Sequence, residues 1–282
     1  MQKLAETLDK LSKKSKQHYC SPFDRFEWPE KLSDTSYWMS PELLSAYDTE
    51  LWDELSEAQR IELSKWEMVS FLSLNIHGIK ELLVSVIDVI HSESFDEASE
   101  YFHHFIDEEN NHMWFFAQFC NRYARKIYDS KRIKLDRNDS IEAEHFITFS
   151  RILIFEKMVA YYNQYMMKDR RLEPILQGIN KMHFGEESRH LAMGQEMVRV
   201  LGDRVRASDA APSMPEIRHS LEDYATLCVN SFYNPTAYRD AGIAEPYAFR
   251  RKLLAHPARL KFNEMLMRDS MKPFGDWGRL AA

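Results

Sequence analysis

Apolar positions along this chain recur at helical spacing almost throughout. Leu4, Leu8 and Leu11 stand one turn apart with Lys13, Lys14 and Lys16 behind them, which predicts a short amphipathic helix over residues 3 to 17 that packs on the body of the protein. Residues 19 to 40, with Pro22, Trp28, Pro29 and Trp38, show little periodicity and read as an irregular wrap; Ser40-Pro41-Glu42 then opens a short helix with proline in its first turn. From the Ser56 cap to about Ile90 the pattern predicts one long helix, apolar on more than one side around Val69, Leu72, Ile76, Leu82 and Val86, as in the interior of a bundle. Ser94-Phe95-Asp96-Glu97 reads as a capping box that starts a second long helix running to about Tyr128. A polar link at 129 to 139 precedes a third helix over 140 to 169, and Pro174 opens a fourth that stops near Gly202.

Beyond the fourth helix, turn signals at Ala211-Pro212-Ser213, Asn234-Pro235 and Glu245-Pro246 separate helical stretches near 214 to 232 and 246 to 270, with Pro257 expected to break or kink the last. No linker rich in Gly or Ser divides the chain. The expected architecture is one all-α domain over 1–282, a ferritin-like four-helix bundle at about 56–202 with additional N-terminal helices and C-terminal helices at 213–275.

Composition agrees with that class. The chain has 282 residues, only 8 glycines and 10 prolines, and 44% hydrophobic residues, enough for a sizeable core rich in helix formers. Its formal charge of -7 is mild, so no nucleic-acid partner is implied and a small-molecule substrate fits better. Cys20, Cys120 and Cys228 are isolated and odd in number, as free thiols of a reducing compartment would be. No run of 18 apolar residues is unbroken and Met1-Gln2-Lys3-Leu4 carries no secretion-type stretch, so a cytoplasmic protein without a membrane partner is expected.

The chemistry lies in a doubled spacing. Glu109 and His112 stand as Glu-x-x-His on the second long helix, and Glu187 and His190 repeat it on the fourth. Residues three apart share a helix face, so each pair aims at one point. Glu81 and Glu156 are single acids in otherwise apolar stretches of the first and third helices. One Glu from each of two helices plus a Glu-x-x-His from each of the other two is the ligand plan of di-iron and di-manganese carboxylate bundles. Carboxylates bridge and shift between two cations, while neutral imidazole holds iron without closing the site. Asp107, Glu108 and Glu186 sit beside these positions but about 100° away around their helices, where they would support ligands or meet solvent. His103 and His104 read as surface or core-edge residues. Tyr161 and Tyr162, beyond Glu156, read as packing, with electron transfer as the alternative.

His183 lies one turn before Glu187, so His183, Glu187 and His190 form one stripe. With it, the chain resembles the para-aminobenzoate N-oxygenase family of ferritin-like di-iron proteins over roughly residues 56 to 202. The resemblance implies seven metal ligands, Glu81, Glu109, His112, Glu156, His183, Glu187 and His190, with His183 joining one iron and tuning the catalysis. It further implies two iron ions, with manganese as an alternative in one site, and oxygen-dependent oxidation of an amino group through hydroxylamine towards nitroso or nitro products, in secondary metabolism. The partners expected are a small-molecule amine, O2, an external electron donor such as a reductase or ferredoxin, and a second copy in a homodimer. The turn preceding Glu81, Leu74-Asn75-Ile76-His77-Gly78, has no arginine for a benzoate-type carboxylate, which points to an amine other than para-aminobenzoate itself.

Two other functions compete. A di-iron hydroxylase or desaturase acting on carbon would use the same ligands. An iron-oxidising or storage bundle would not need the 80 or so residues after the fourth helix, and a third imidazole should release iron less readily.

Overall fold

In the computed structural model, which describes residues 2–19, 21–129 and 140–275, four long helices run where the apolar periodicity places them. They are α3 (Glu57–Val89), α4 (Ser99–Phe119), α5 (Ile141–Met166) and α6 (Pro174–Arg206). α3 packs chiefly along α4 and α5 along α6, with α4 also meeting α6. Before the bundle come α1 (Gln2–His18) and the short α2 (Glu50–Asp53); after it come α7 (Met214–Ser231), α8 (Pro235–Asp240), α9 (Pro246–Ala255) and α10 (Pro257–Met271). The described residues contain no β-strand; a single bridge between Tyr37 and Leu172 ties the N-terminal wrap to the α5–α6 turn. The all-α, ferritin-like bundle expected from the sequence is the fold observed.

Helix boundaries follow local chemistry more than the periodicity alone predicts. Ser56 caps α3 in a full capping box with Gln59. The second expected box is not formed: Ser94 to Glu97 lie inside a 3-10 turn, Glu93–Ala98, and α4 begins at Ser99 without a side-chain cap. α4 also ends earlier than Tyr128. It passes into a π turn at Cys120–Ala124, and Arg125 adopts a left-handed conformation with φ 51°, which stops the helix. α6 instead runs past Gly202, which is buried within the helix, to Arg206. Pro257 does break the last stretch, standing at the first turn of α10 behind a capping His256. Cys120 and Cys228 are free and buried, whereas Cys20 and positions 130–139 of the expected link lie outside the described residues.

α3 is long and apolar enough by length and composition to cross a bilayer, and half of its most apolar window is buried in the bundle. The core is aromatic around α4. Tyr101, Phe102, Phe105, Phe116 and Phe119 are almost fully buried on one face, a stripe that also carries Glu109 and His112. Gly78 of α3 permits a close approach: a Cβ there would meet the ring of Phe155 at 3.1 Å. Both residues line the cavity described next.

Candidate metal centre

Glu109 and His112 from α4 meet Glu187 and His190 from α6 in the bundle interior, with one ligand atom from each lying within 4.8 Å of the others. All four side chains are at most 2% exposed. The i, i+3 spacing on each helix produces this, because each pair lies on the stripe that its helix buries. His112 Nδ1 is 3.5 Å from Glu109 Oε2 and 3.6 Å from Glu187 Oε1. His190 Nδ1 is 2.8 Å from Glu109 Oε1 and 3.5 Å from Glu187 Oε1. Even the 2.8 Å approach lacks hydrogen-bond geometry, and His112 Nδ1, His190 Nδ1, Glu109 Oε1 and Glu187 Oε2 are all buried without a hydrogen-bond partner. Several donor atoms that converge without bonding one another fit a cation between them.

Both imidazoles turn Nδ1 inward because their Nε2 atoms are held from behind. Glu186 on α6 accepts from His112 Nε2 at 2.8 Å, and Glu108 on α4 accepts from His190 Nε2 at 2.8 Å. Each helix therefore orients the histidine of the other. Arg189 donates to Glu108 at 2.6 Å and to Ser15 of α1 at 3.1 Å, so α1 does more than pack: it reaches the support of the centre. The sequence contained this signal as Glu-Glu-x-x-His written twice, Glu108 to His112 and Glu186 to His190; only the second Glu of each was read as a ligand.

Glu156 of α5 is 5% exposed and neither of its carboxylate oxygens has a hydrogen-bond partner. Burial and the neighbouring Glu187 and Glu109 carboxylates push its pKa well above the usual range. His183 approaches from one turn before Glu187, its Nε2 2.7 Å from Glu187 Oε1, and its ring centroid is 4.4 Å from that of His112. Burial and the His112 charge keep it neutral, its pKa below the usual value. For His112, burial opposes protonation, but the neighbouring Glu109 and Glu186 carboxylates raise its pKa to about 10. Burial likewise disfavours the charged form of His190, and Glu187 and Glu109 overcome it. Burial also raises the Glu187 carboxyl, but His183 and His190 more than reverse this. The raised histidines and the raised Glu156 carboxyl have one cause, the crowding of several buried carboxylates in one place, which favours positive charge among them.

Glu81 is placed differently from the other expected ligands. Its side chain is exposed on α3, outside the four-residue cluster, at the wall of a cavity of about 330 Å³. That cavity leads to the centre, since Glu109, Glu156, His183 and Glu187 line it together with Asn75, Ile79, Leu82, Phe155, Val159 and Tyr224. Asn75, Ile79 and Leu82 take the inward positions of α3. The cavity also holds a cation that the sequence reading missed. Arg151 of α5, five residues before Glu156, lines it with a buried Nε that has no hydrogen-bond partner, while its Nη2 donates to Ser220 at 3.3 Å. The turn before Glu81 has no arginine; the cation comes from α5 instead. His103 is exposed and His104 half-buried, as expected, and Tyr162 is a packing residue stacked on Phe71.

A helical bundle with paired Glu-x-x-His segments meeting in its core and a cavity leading to them defines a ferritin-like bundle whose Glu/His cluster could hold a metal ion. The family model described as P-aminobenzoate N-oxygenase AurF matches residues 2–278, nearly the whole chain, and the protein belongs to that family. It is accordingly an O2-dependent N-oxygenase, an oxidoreductase that oxidises an amino group, and its Glu/His cluster is compatible with the di-iron site of the family. Comparison with curated proteins finds no match to the chain.

Proposed function

We propose that this enzyme binds two iron ions through Glu109, His112, Glu156, His183, Glu187 and His190, joined by Glu81 from the cavity wall, and oxidises a small amine that carries an anionic group. The observation that supports it best is the set of buried, unpartnered donor atoms on Glu109, His112, Glu156, Glu187 and His190 at the inner end of a cavity of about 330 Å³. That volume lies within the range of about 300–1,000 Å³ typical of small-molecule sites. Iron, when bound, supplies the reduction of O2. The chain's own residues do the rest. Glu108 and Glu186 hold the imidazoles in the tautomer that offers Nδ1. Ile79, Leu82, Phe155 and Val159 exclude water from the amine, and Arg151 receives its anionic end so that the nitrogen points inward. Glu81, the outlying member, would complete the ligand set from the cavity wall. We place the enzyme in the cytoplasm, as a homodimer supplied with electrons by a reductase or ferredoxin, with manganese as an alternative to iron in one site.

Metal analysis after anaerobic iron loading tests this reading, followed by mixing with O2 and a panel of aryl and alkyl amines with and without a carboxylate. Two irons per chain and N-oxidised products, with Glu81→Gln lowering the stoichiometry, are expected. One metal or none at full loading would sink it, and products hydroxylated on carbon would favour the hydroxylase alternative.

A further inference from the structure

The outer face of α3 carries an apolar stripe. Val84 is 70% exposed and Ile87 57%, one turn apart on a helix whose other faces are buried in the bundle. Two large aliphatic side chains facing water leave apolar area that a partner would cover. The charges around them are ordered: Lys80 stands four residues before Val84 and Asp88 four after, both exposed. At about 100° per residue, all four positions share one side of the helix, with Lys80 and Asp88 about 6 Å along the axis on either side of Val84. This stripe borders the cavity. α3 and α5 make little close contact with one another, and the cavity fills the slot between them, with exposed Glu81 and half-buried Ser85 at its α3 edge.

A second copy of α3, turned about a two-fold axis at Val84, runs antiparallel to the first, so each residue comes level with the one equally far beyond Val84 on the partner. Val84 then meets its own counterpart, Ile87 packs on the methylenes of Lys80, and Lys80 comes level with Asp88 at both ends of the contact. The face is therefore complementary to itself in charge as well as in apolar contact, which is the condition for an isologous interface. A lipid surface would cover Val84 and Ile87 but would take Asp88 out of water without a partner. We propose that this face of α3 is the surface on which two copies of this chain pair, each copy laying its α3 along the outer edge of the other's cavity. The inference rests on the homodimer reading above and adds to it the residues that form the interface and its place beside the substrate cavity.

Sedimentation equilibrium of the full chain at micromolar concentration tests it, with a readout that does not depend on metal loading. A dimer is expected for the wild type. Val84→Glu and Ile87→Glu, both at exposed positions that the fold of one copy does not need, should each weaken it by roughly 100-fold, as loss of a central contact does. Lys80→Asp sets like charges level with one another at both ends and should weaken it by about 10-fold or more. Adding Asp88→Lys to the same chain restores opposite charges and should restore the affinity. A dimer that persists unchanged in Val84→Glu and Ile87→Glu, or a charge-swapped double variant no tighter than Lys80→Asp, overturns the inference while leaving the homodimer reading intact. A wild type that stays monomeric overturns both, and binding of that monomer to phosphatidylglycerol vesicles, abolished by Val84→Glu, would assign the face to a membrane instead.

Discussion

Glu67 is a buried acid away from the proposed centre, and replacing it with glutamine should change how stability depends on pH. On α3 it accepts from Ser45 N at 2.9 Å and from Ser45 Oγ at 2.5 Å, joining the N-terminal wrap to the bundle, and Tyr238 of α8 donates to the same Ser45 hydroxyl. Burial raises its pKa to about 7 from an ordinary 4.5, against the opposing pull of the Ser45 hydrogen bonds and the Arg259 charge. Below pH 4.5 the group is neutral in both the folded and the unfolded chain. Between the two values the unfolded chain releases its proton while the folded chain retains it, so stability falls as pH rises and levels off above about pH 7. The gap between 4.5 and about 7, at about 1.36 kcal/mol for each pH unit, comes to roughly 3 kcal/mol. Glu67→Gln removes this dependence. It also loses one of two oxygen acceptors, a cost of about 1 kcal/mol that does not vary with pH. Thermal unfolding of both proteins from pH 4 to pH 8 checks it. At about 2–4 °C per kcal/mol for a domain of this size, the wild type should lose roughly 6–12 °C relative to the variant across that range. A difference in melting temperature that stays constant with pH, or one that moves in favour of the wild type as pH rises, would refute the reasoning.

Other outcomes concern the centre itself. Glu109→Ala and Glu187→Ala should each lose metal while the far-ultraviolet circular dichroism of the bundle persists, because the aromatic stripe of α4 and its neighbours supplies most of the stability. Metal-dependent unfolding of the wild type would contradict this. His183→Ala should retain iron with about 10- to 100-fold weaker affinity yet fail to oxidise amines; a variant that oxidises amines like wild type would leave His183 with a packing role. Arg151→Gln should raise KM for carboxylate-bearing amines by about 10- to 100-fold, the worth of a hydrogen bond to a charged group, with little effect on neutral amines. Equal effects on both substrate types would remove Arg151 from substrate binding.

The positions of α3 to α6, and the facts that Glu109, His112, Glu156, Glu187 and His190 face inward, follow from the sequence alone, because helical periodicity is a local property and each ligand lies on its helix's apolar stripe. Boundaries were less legible where a few backbone angles decide them: the left-handed Arg125 that ends α4 early has no proline or glycine to announce it. Partners on other helices could not be read at all. Glu108 and Glu186 each stand next to a ligand in sequence, but each supports a histidine more than 70 residues away. Arg151 and Asn163 join the site only because α5 lies along α6 with their turns level with the cavity and with His183. Glu81 shows the reverse, an acid in an apolar stretch that the orientation of α3 leaves at the cavity wall while Asn75, Ile79 and Leu82 point inward. Spacing along one helix determines which residues share a face; the rotation and axial offset of each helix against its neighbours, set by side-chain packing between them, decide what that face meets.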